Sequence, residues 1–499
     1  MSEIVSSIAG GLAVAATPLN LWYCFLGALI GTLIGVLPGL GPIATMAMLL
    51  PLTYYLEPTG ALIMLAGIYY GAQYGGSTTA ILMRLPGESS SVVTCLDGYE
   101  MARRGRAGTA LATAALASFL AGTITTLLIA FFSPALTAAA QRFGPAEYFC
   151  LMVLGLIAAI VFAQGSLLKS IGMILLGLLL GSVGADVNTG LDRFTFGVNE
   201  LRDGIGIAAL SMGVFGIAEV VLNLARPQEE GGRTQPVSAL RLTAEDWRRA
   251  WPAALRGTGI GAVLGILPGG SAMLASFAAY STEKKLSSSP EQFGHGAIEG
   301  VAGPEAANNA GAQASFIPML ALGIPSNSVM AMMAGAMLIH GIAPSPNLSV
   351  AQPALFWGLI ASMWVGNLML LVINLPLIGL WVRLLQVPYR LMFPAILLFC
   401  CIGIYSVNMS VFEVVMLAGF GLAGIVLTLL DCPLAPLVLA FILGPAMEEN
   451  LRRAMLISGG DVQIFASPIC VALLVATAAL LVMILVPSFR RTRSRMVDA

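Results

Sequence analysis

The sequence is poor in charge: only 10% of its 499 residues are Asp, Glu, Lys or Arg, against about 25% in an average soluble domain. The net charge of −1 supplies no basic field, so a nucleic-acid partner is not expected. No Gly-Lys dipeptide occurs, which excludes a P-loop for phosphates. The metalloprotease pattern HExxH and the nucleophile pattern GxSxG are also missing. The two histidines, His295 and His340, lack metal-ligand spacing. The seven cysteines are odd in number and lie mostly in apolar runs, as small core residues do, rather than in a disulfide framework. The first residues, MSEIVSSIAGG, carry no positive region of the kind that opens a cleaved signal. Catalytic residues and cofactors are not expected, and the chain is read as something other than an enzyme.

What is abundant is hydrocarbon. The chain is 58% hydrophobic with a mean hydropathy of +0.90. Apolar runs of about 17–25 residues recur along it, each long enough to cross a bilayer core of roughly 30 Å. The alternating ten-residue segments of a β-barrel are absent. The expected fold class is an all-α polytopic membrane protein with about 10–12 crossings. Lys and Arg collect near 103–106, 226–256, 284–285, 383–390 and 490–495, which places those loops in the cytoplasm. The loop near Ser345–Val350 and the stretch from Asp186 to Asp203 then fall outside. Parity puts Glu448–Arg453 outside as well, despite its two arginines.

The two halves repeat each other. Gly31–Gly39, GTLIGVLPG, and Gly261–Gly269, GAVLGILPG, share five of nine residues. Gly71-Ala-Gln73 recurs as Gly311-Ala-Gln313, and Leu85-Pro86-Gly-Glu-Ser89 as Ile324-Pro325-Ser-Asn-Ser328. The expected division is 1–225 for the first repeat, 226–254 for a cytoplasmic connector and 255–499 for the second repeat. Each repeat holds a hairpin (about 22–55 and 255–280) and a proline-broken helix (about 60–95 and 304–340). The first broken helix ends at the basic loop Asp97–Arg104, and the second begins after Lys284-Lys285. The repeats are therefore inverted in the membrane, an arrangement common in secondary transporters.

A backbone break in lipid strands N–H and C=O groups unless protein, water or ligand supplies partners. Pro38, Gly39, Gly41 and Pro42, with Pro268, Gly269, Gly270 and Ser271, are expected at the tips of two re-entrant hairpins. A helix restarting after Pro86 or Pro325 offers free N–H groups and a partial positive charge. Ser89, Ser90, Ser326, Asn327 and Ser328 stand there as caps and as candidate ligands for a substrate carboxylate. Arg84 and Glu88 are ionisable groups near membrane depth. For Arg84 the choice is a substrate contact or a structural pair, and for Glu88 a proton carrier or a structural pair. Main-chain groups at Gly39 and Gly269, with Thr78, Thr79 and Asn308, are candidates for a coupling ion, Na⁺ or H⁺. Glu305 is open between an ion role and loop anchoring. Both an elevator and a rocking motion fit such a site.

Three blocks, LIGVLPGLGPIATMAMLLPLTY, ALIMLAGIYYGAQYGGSTTAIL and LPGESSSVVTCLDGYEMARRGRAG, resemble the TctA family, the large membrane subunit of tripartite tricarboxylate transporters. The second half agrees through GILPGG, GPEAANNA and ALGIPSNSVMAMMAGAMLIHGI. The resemblance implies a multi-pass secondary transporter of the bacterial inner membrane that imports carboxylates on an ion gradient. It also implies a small TctB-like membrane subunit and a periplasmic TctC-like binding protein as partners. One departure is Arg84, where the family pattern leads to asparagine before Leu-Pro-Gly-Glu. It makes Arg84 a candidate selectivity residue and leaves the particular carboxylate open.

Overall fold

The computed structural model describes residues 2–37, 41–162, 166–186, 189–225, 235–267, 272–385 and 389–485. The first half runs α1 (Ser2–Ala15), α2 (Pro18–Val36), α3 (Pro42–Thr53), α4 (Pro58–Met83), α5 (Thr94–Met101), α6 (Ala107–Ala140), α7 (Pro145–Phe162), α8 (Leu167–Gly181), α9 (Ile207–Ser211) and α10 (Ala218–Ala225). The second half runs α11 (Ala244–Ile266), α12 (Ala272–Leu286), α13 (Glu299–Ala314), α14 (Phe316–Leu322), α15 (Ser328–Ile339), α16 (Leu348–Ala351), α17 (Pro353–Asn374), α18 (Ile378–Leu384), α19 (Tyr389–Asn408), α20 (Val411–Leu429), α21 (Leu434–Ile457) and α22 (Pro468–Leu485). Six of these helices begin on proline, which suits the first helical position because that N–H has no partner in the helix.

Among the described residues six helical stretches are long and apolar enough to cross a membrane: Pro18–Val36, Thr94–Ala140, Ile207–Ala225, Pro353–Asn374, Val411–Leu429 and Leu434–Ile457. Six shorter apolar helices accompany them. Only 17% of the most apolar window of Val411–Leu429 is buried against protein, as expected of a helix whose remaining surface meets lipid. The chain is an all-α membrane protein, with a short antiparallel pairing of Gly184–Ala185 with Asp192–Arg193 as the strand structure among the described residues.

The core is built by glycines at four-residue spacing. Gly27, Gly31 and Gly35 of α2 lie against the main chain of α4. A Cβ added at each would sit 2.2, 2.3 and 2.4 Å from the carbonyl oxygens of Met64, Ile68 and Ala72. Gly257, Gly261 and Gly265 of α11 meet α13 in the same way, at 2.2, 2.3 and 2.3 Å from the oxygens of Gly303, Ala307 and Gly311. Such approach is available only to glycine, and in lipid, where apolar surfaces gain nothing by leaving water, it is a main source of helix association. The second ladder sits 230 residues after the first on the glycine side and 239 on the carbonyl side. The Gly-Ala-Gln match of the sequence lies one residue out of this register, because Ala72 and Gly311 take equivalent contacts. The halves also exchange helices: α6 packs along α13, and α17 along α4.

Ionic contacts fix the ends. Asp186 and Glu448 share Arg193 and Arg452, with nitrogen–oxygen distances between 2.6 and 3.5 Å. Arg452 is thereby neutralised beside the loop expected to lie outside, so its charge gives no reason to move that end of α21 inward. At the opposite reading of the loops, α11 opens with a capping box between Thr243 and Asp246, and Arg106 reaches Asp246 at 2.5 Å. Burial works to raise the Asp246 carboxyl, but hydrogen bonds from the Thr243 main chain and the Arg106 guanidinium hold it below the ordinary carboxylate range. The helix therefore occupies the last part of the expected connector, and exposed Trp247 and Trp251 lie along it with tilted rings 5.4 Å apart.

Asp97 joins the halves. Its fully buried carboxylate accepts the N–H groups of Gly294, Gly296 and Ala297 at 2.9, 2.7 and 2.8 Å, and the Tyr280 hydroxyl at 2.9 Å. Removing the acceptor would strand three main-chain donors, each costing roughly 1–3 kcal/mol when buried. Asp97→Ala should lower stability by about 3 kcal/mol or more, read as a fall in the thermal unfolding midpoint of the purified protein. An unchanged midpoint would show that water replaces the carboxylate without loss.

Candidate functional site

Each half carries one proline break. In the first half α4 ends on Arg84, whose backbone is left-handed (φ 60°, ψ 21°), and Glu88 then caps the turn Ser89–Ser91 with extended dihedrals (φ −144°, ψ 167°). In the second, α14 ends on left-handed Gly323 (φ 73°, ψ 17°) and Asn327 caps α15 (φ −151°, ψ 177°). The pairs Arg84 with Gly323 and Glu88 with Asn327 are again 239 residues apart. The left-handed step redirects the chain at the end of each helix, and Pro86 and Pro325 prevent the helix from continuing. Gly87 folds the first break back onto α2 and α4, where a Cβ would lie 2.2 Å from the Gly35 oxygen and 2.5 Å from the Gly76 Cα.

Each cap faces a polar side chain of the other half. The Tyr69 phenol on α4 reaches Asn327 and Ser315, while the Asn308 amide on α13 turns toward Glu88. Residues 69 and 308 are themselves 239 apart, so the two contacts are copies of one another with the halves exchanged. Asn327 Oδ1 accepts the Met330 N–H at 3.0 Å. Ser90 Oγ lies 2.9 Å from Gln73 Oε1 and also meets the Glu88 carboxylate. Glu305, wholly buried on α13, takes the Ser77 hydroxyl at 2.6 Å and the Thr94 hydroxyl. Asn309 beside it donates to Ser118 Oγ at 2.7 Å.

The expected site residues divide into those gathered here and those elsewhere. Ser90, Asn308, Asn327 and Glu88 are buried or nearly so at this junction. Ser328 is the first residue of α15, and Ser326 is buried with its hydroxyl 3.3 Å from the Ser315 oxygen. Ser89 is exposed, and Arg84 is exposed with its guanidinium 5.9 Å above the Tyr99 ring. Thr79 donates to the last carbonyl of α2, Val36, at 2.6 Å. Thr78 lines a cavity of about 10 Å³ with Tyr74, Ser77, Ser118 and Asn374. Gly41 caps α3 and gives its N–H to Glu219 at 3.1 Å, ahead of Pro42 at the first helical position. Pro38, Gly39, Pro268, Gly269, Gly270 and Ser271 lie outside the described residues. Sequence reasoning missed Tyr69, Gln73, Ser77, Thr94 and Ser118 as partners, since single polar residues inside apolar helices give no periodic signal. It also missed the glycine ladders, which a search at four-residue spacing would have found.

Arg84 holds a backbone conformation that costs a non-glycine residue about 1–2 kcal/mol, and the other half places glycine there. Arg84→Gly should therefore fold at least as stably as the parent, with a thermal midpoint equal or higher. A lower midpoint would mean that the cation–π contact with Tyr99 outweighs the strain.

Together these features define a polytopic helical membrane protein whose interior holds two interrupted helices capped by Glu88 and Asn327. The chain belongs to the tripartite tricarboxylate transporter TctA family, whose model matches residues 21–439. It is 56% identical over 496 residues to "Uncharacterized 52.8 kDa protein in TAR-I ttuC' 3'region" of Agrobacterium vitis, covering 99% of each chain. It is also 56% identical over 236 residues to "Uncharacterized protein in TAR-II ttuC' 3'region" of the same organism, covering 47% of this chain and 98% of that one. No solved structure matches. The chain is thus a transporter component of a tripartite system.

Proposed function

We propose that this chain is the large permease subunit of a binding-protein-dependent system that imports tricarboxylates or related carboxylates on a Na⁺ or H⁺ gradient. It would work in the bacterial inner membrane beside a small TctB-like subunit, with a periplasmic TctC-like protein delivering substrate. The observation that carries this reading is the matched geometry of the two breaks, where left-handed Arg84 and extended Glu88 are repeated 239 residues on as Gly323 and Asn327, each beside a helix of the other half. Two halves that exchange equivalent contacts about their broken helices are what inverted repeats around one central site produce. The N-terminus of α15, with Ser326, Asn327 and Ser328, offers unpaired N–H groups and a partial positive charge to a carboxylate. Ser89 and Ser90 would complete the cradle from the first half, and exposed Arg84 would meet the anion at its rim. Thr78, Thr79 and Asn308, with main-chain groups at Gly39 and Gly269, would serve the coupling ion.

The test is uptake into proteoliposomes that hold both membrane subunits, with the binding protein added outside and Na⁺ and H⁺ gradients imposed separately. Accumulation of a carboxylate that requires one gradient and the binding protein is expected. Flux that follows only the carboxylate gradient, with or without the binding protein, would instead describe an ion-uncoupled channel.

A further inference from the structure

A carboxylate-binding site should not be lined by carboxylates, yet this junction contains two. Glu88 and Glu305 come from opposite halves, are 8% and 0% exposed, and pack on adjacent residues of α4: Glu88 Cγ lies 2.8 Å from where a Cβ on Gly76 would be, and Glu305 accepts the Ser77 hydroxyl at 2.6 Å. Among the described residues neither forms a salt bridge with Lys, Arg or His. The guanidinium of Arg84 is exposed over Tyr99. The groups facing Glu305 are Ser77 and Tyr74 of α4, Thr94 and Cys95 of α5, Ser118 of α6 and Glu88 of the break. Those facing Glu88 are Tyr69, Ser90, Asn308 and Glu305. None of them is a cation.

Two buried charges of one sign, with only hydroxyls and amides around them, are strongly unfavourable until something positive joins them. Two further observations point to where it goes. Asn308 is fully buried between the carboxylates, one helical turn from Glu305, and neither its Oδ1 nor its Nδ2 completes a hydrogen bond. The Tyr74 hydroxyl, 4% exposed as a residue, is equally unpartnered, and Tyr74 lines with Ser77 and Ser118 a cavity of about 10 Å³ that adjoins Glu305 through the Ser77 hydroxyl but is not itself lined by Glu88, Glu305 or Asn308. That space holds about one small solvent-sized particle.

We infer that Glu88, Glu305 and Asn308 form a site for one unit of positive charge, a proton or a Na⁺ ion, which must be filled before a carboxylate enters the junction. The inference rests on the carboxylate-import reading and supplies its coupling step. An empty site repels the incoming anion, and a filled one admits it, so neither crosses without the other.

The test uses the purified full chain in lipid nanodiscs, with no carboxylate and no partner. Its unfolding midpoint is measured from pH 5.5 to 8.5 with NaCl or with choline chloride at equal ionic strength. The parent should gain stability from Na⁺ at fixed pH, which marks a Na⁺ site, or from acid alone, which marks a proton site. Glu305→Gln should lose most of that response, and Glu88→Gln should weaken it, while exposed Glu291→Gln keeps it whole. Should Glu305→Gln fail to fold, Glu88→Gln and Tyr74→Phe decide. A parent without either response, or Gln variants that respond like the parent, would overturn the inference. Because no carboxylate is present, such a failure leaves gradient-driven uptake in proteoliposomes standing on its own result.

Discussion

Gly261→Leu should yield no folded protein. An added Cβ alone would lie 2.3 Å from the Ala307 oxygen and 2.8 Å from the Ala307 Cα. These are main-chain atoms of a helix, so no side-chain rotation relieves the clash. Overpacking a yielding core costs about 1–3 kcal/mol; a contact that must separate α11 from α13 along its length will cost more. Such a loss approaches the 5–15 kcal/mol of a typical stable fold. Gly31→Leu should fail for the same reason, with the Ile68 oxygen 2.3 Å away. The control lies on the same helix: Gly259 has nothing within 4 Å of its Cβ position, so Gly259→Leu should express normally. Size-exclusion profiles of detergent extracts separate the cases, and a monodisperse Gly261→Leu peak at the parent yield would refute the ladder.

The second large effect concerns Asn327. Asp caps helices about as well as Asn, so Asn327→Asp should keep the hydrogen bond to Met330 and the thermal midpoint. It would, however, set a fixed negative charge where the incoming carboxylate is proposed to sit. Two like charges about 4 Å apart repel by about 4 kcal/mol at an effective dielectric of 20. Uptake should fall by about two to three orders of magnitude, while Asn327→Ser, which retains a cap without charge, should keep far more of it. Equal uptake by the Asp and Ser variants would place the substrate away from the start of α15.

Much of this was legible in the sequence, for physical reasons. Apolar runs can be recognised because lipid demands length, and Leu-Pro-Gly and Ile-Pro-Ser because proline cannot continue a helix. Asn327 was legible as a cap because a short polar side chain before an apolar run has few other uses. Glu88 was harder. Its cap geometry matches that of Asn327, but a glutamate four residues from an arginine suggests an ion pair that the fold does not make. For Arg84 the charge was legible and the backbone was not: its left-handed step, matched by Gly323, is what both halves share. Tyr69 was illegible because its pairing with Asn327 spans the two halves, and no local pattern encodes a partner that distant.

The most direct measurement is an experimental map of the complex carrying the carboxylate delivered by its own binding protein. The account predicts anion density shared between halves, against the N-terminus of α15 on one side and Ser89–Ser90 on the other, with Glu88 and Glu305 bridged by a cation or a proton. Density held by one half alone, or lying outside the junction of the two breaks, would contradict it.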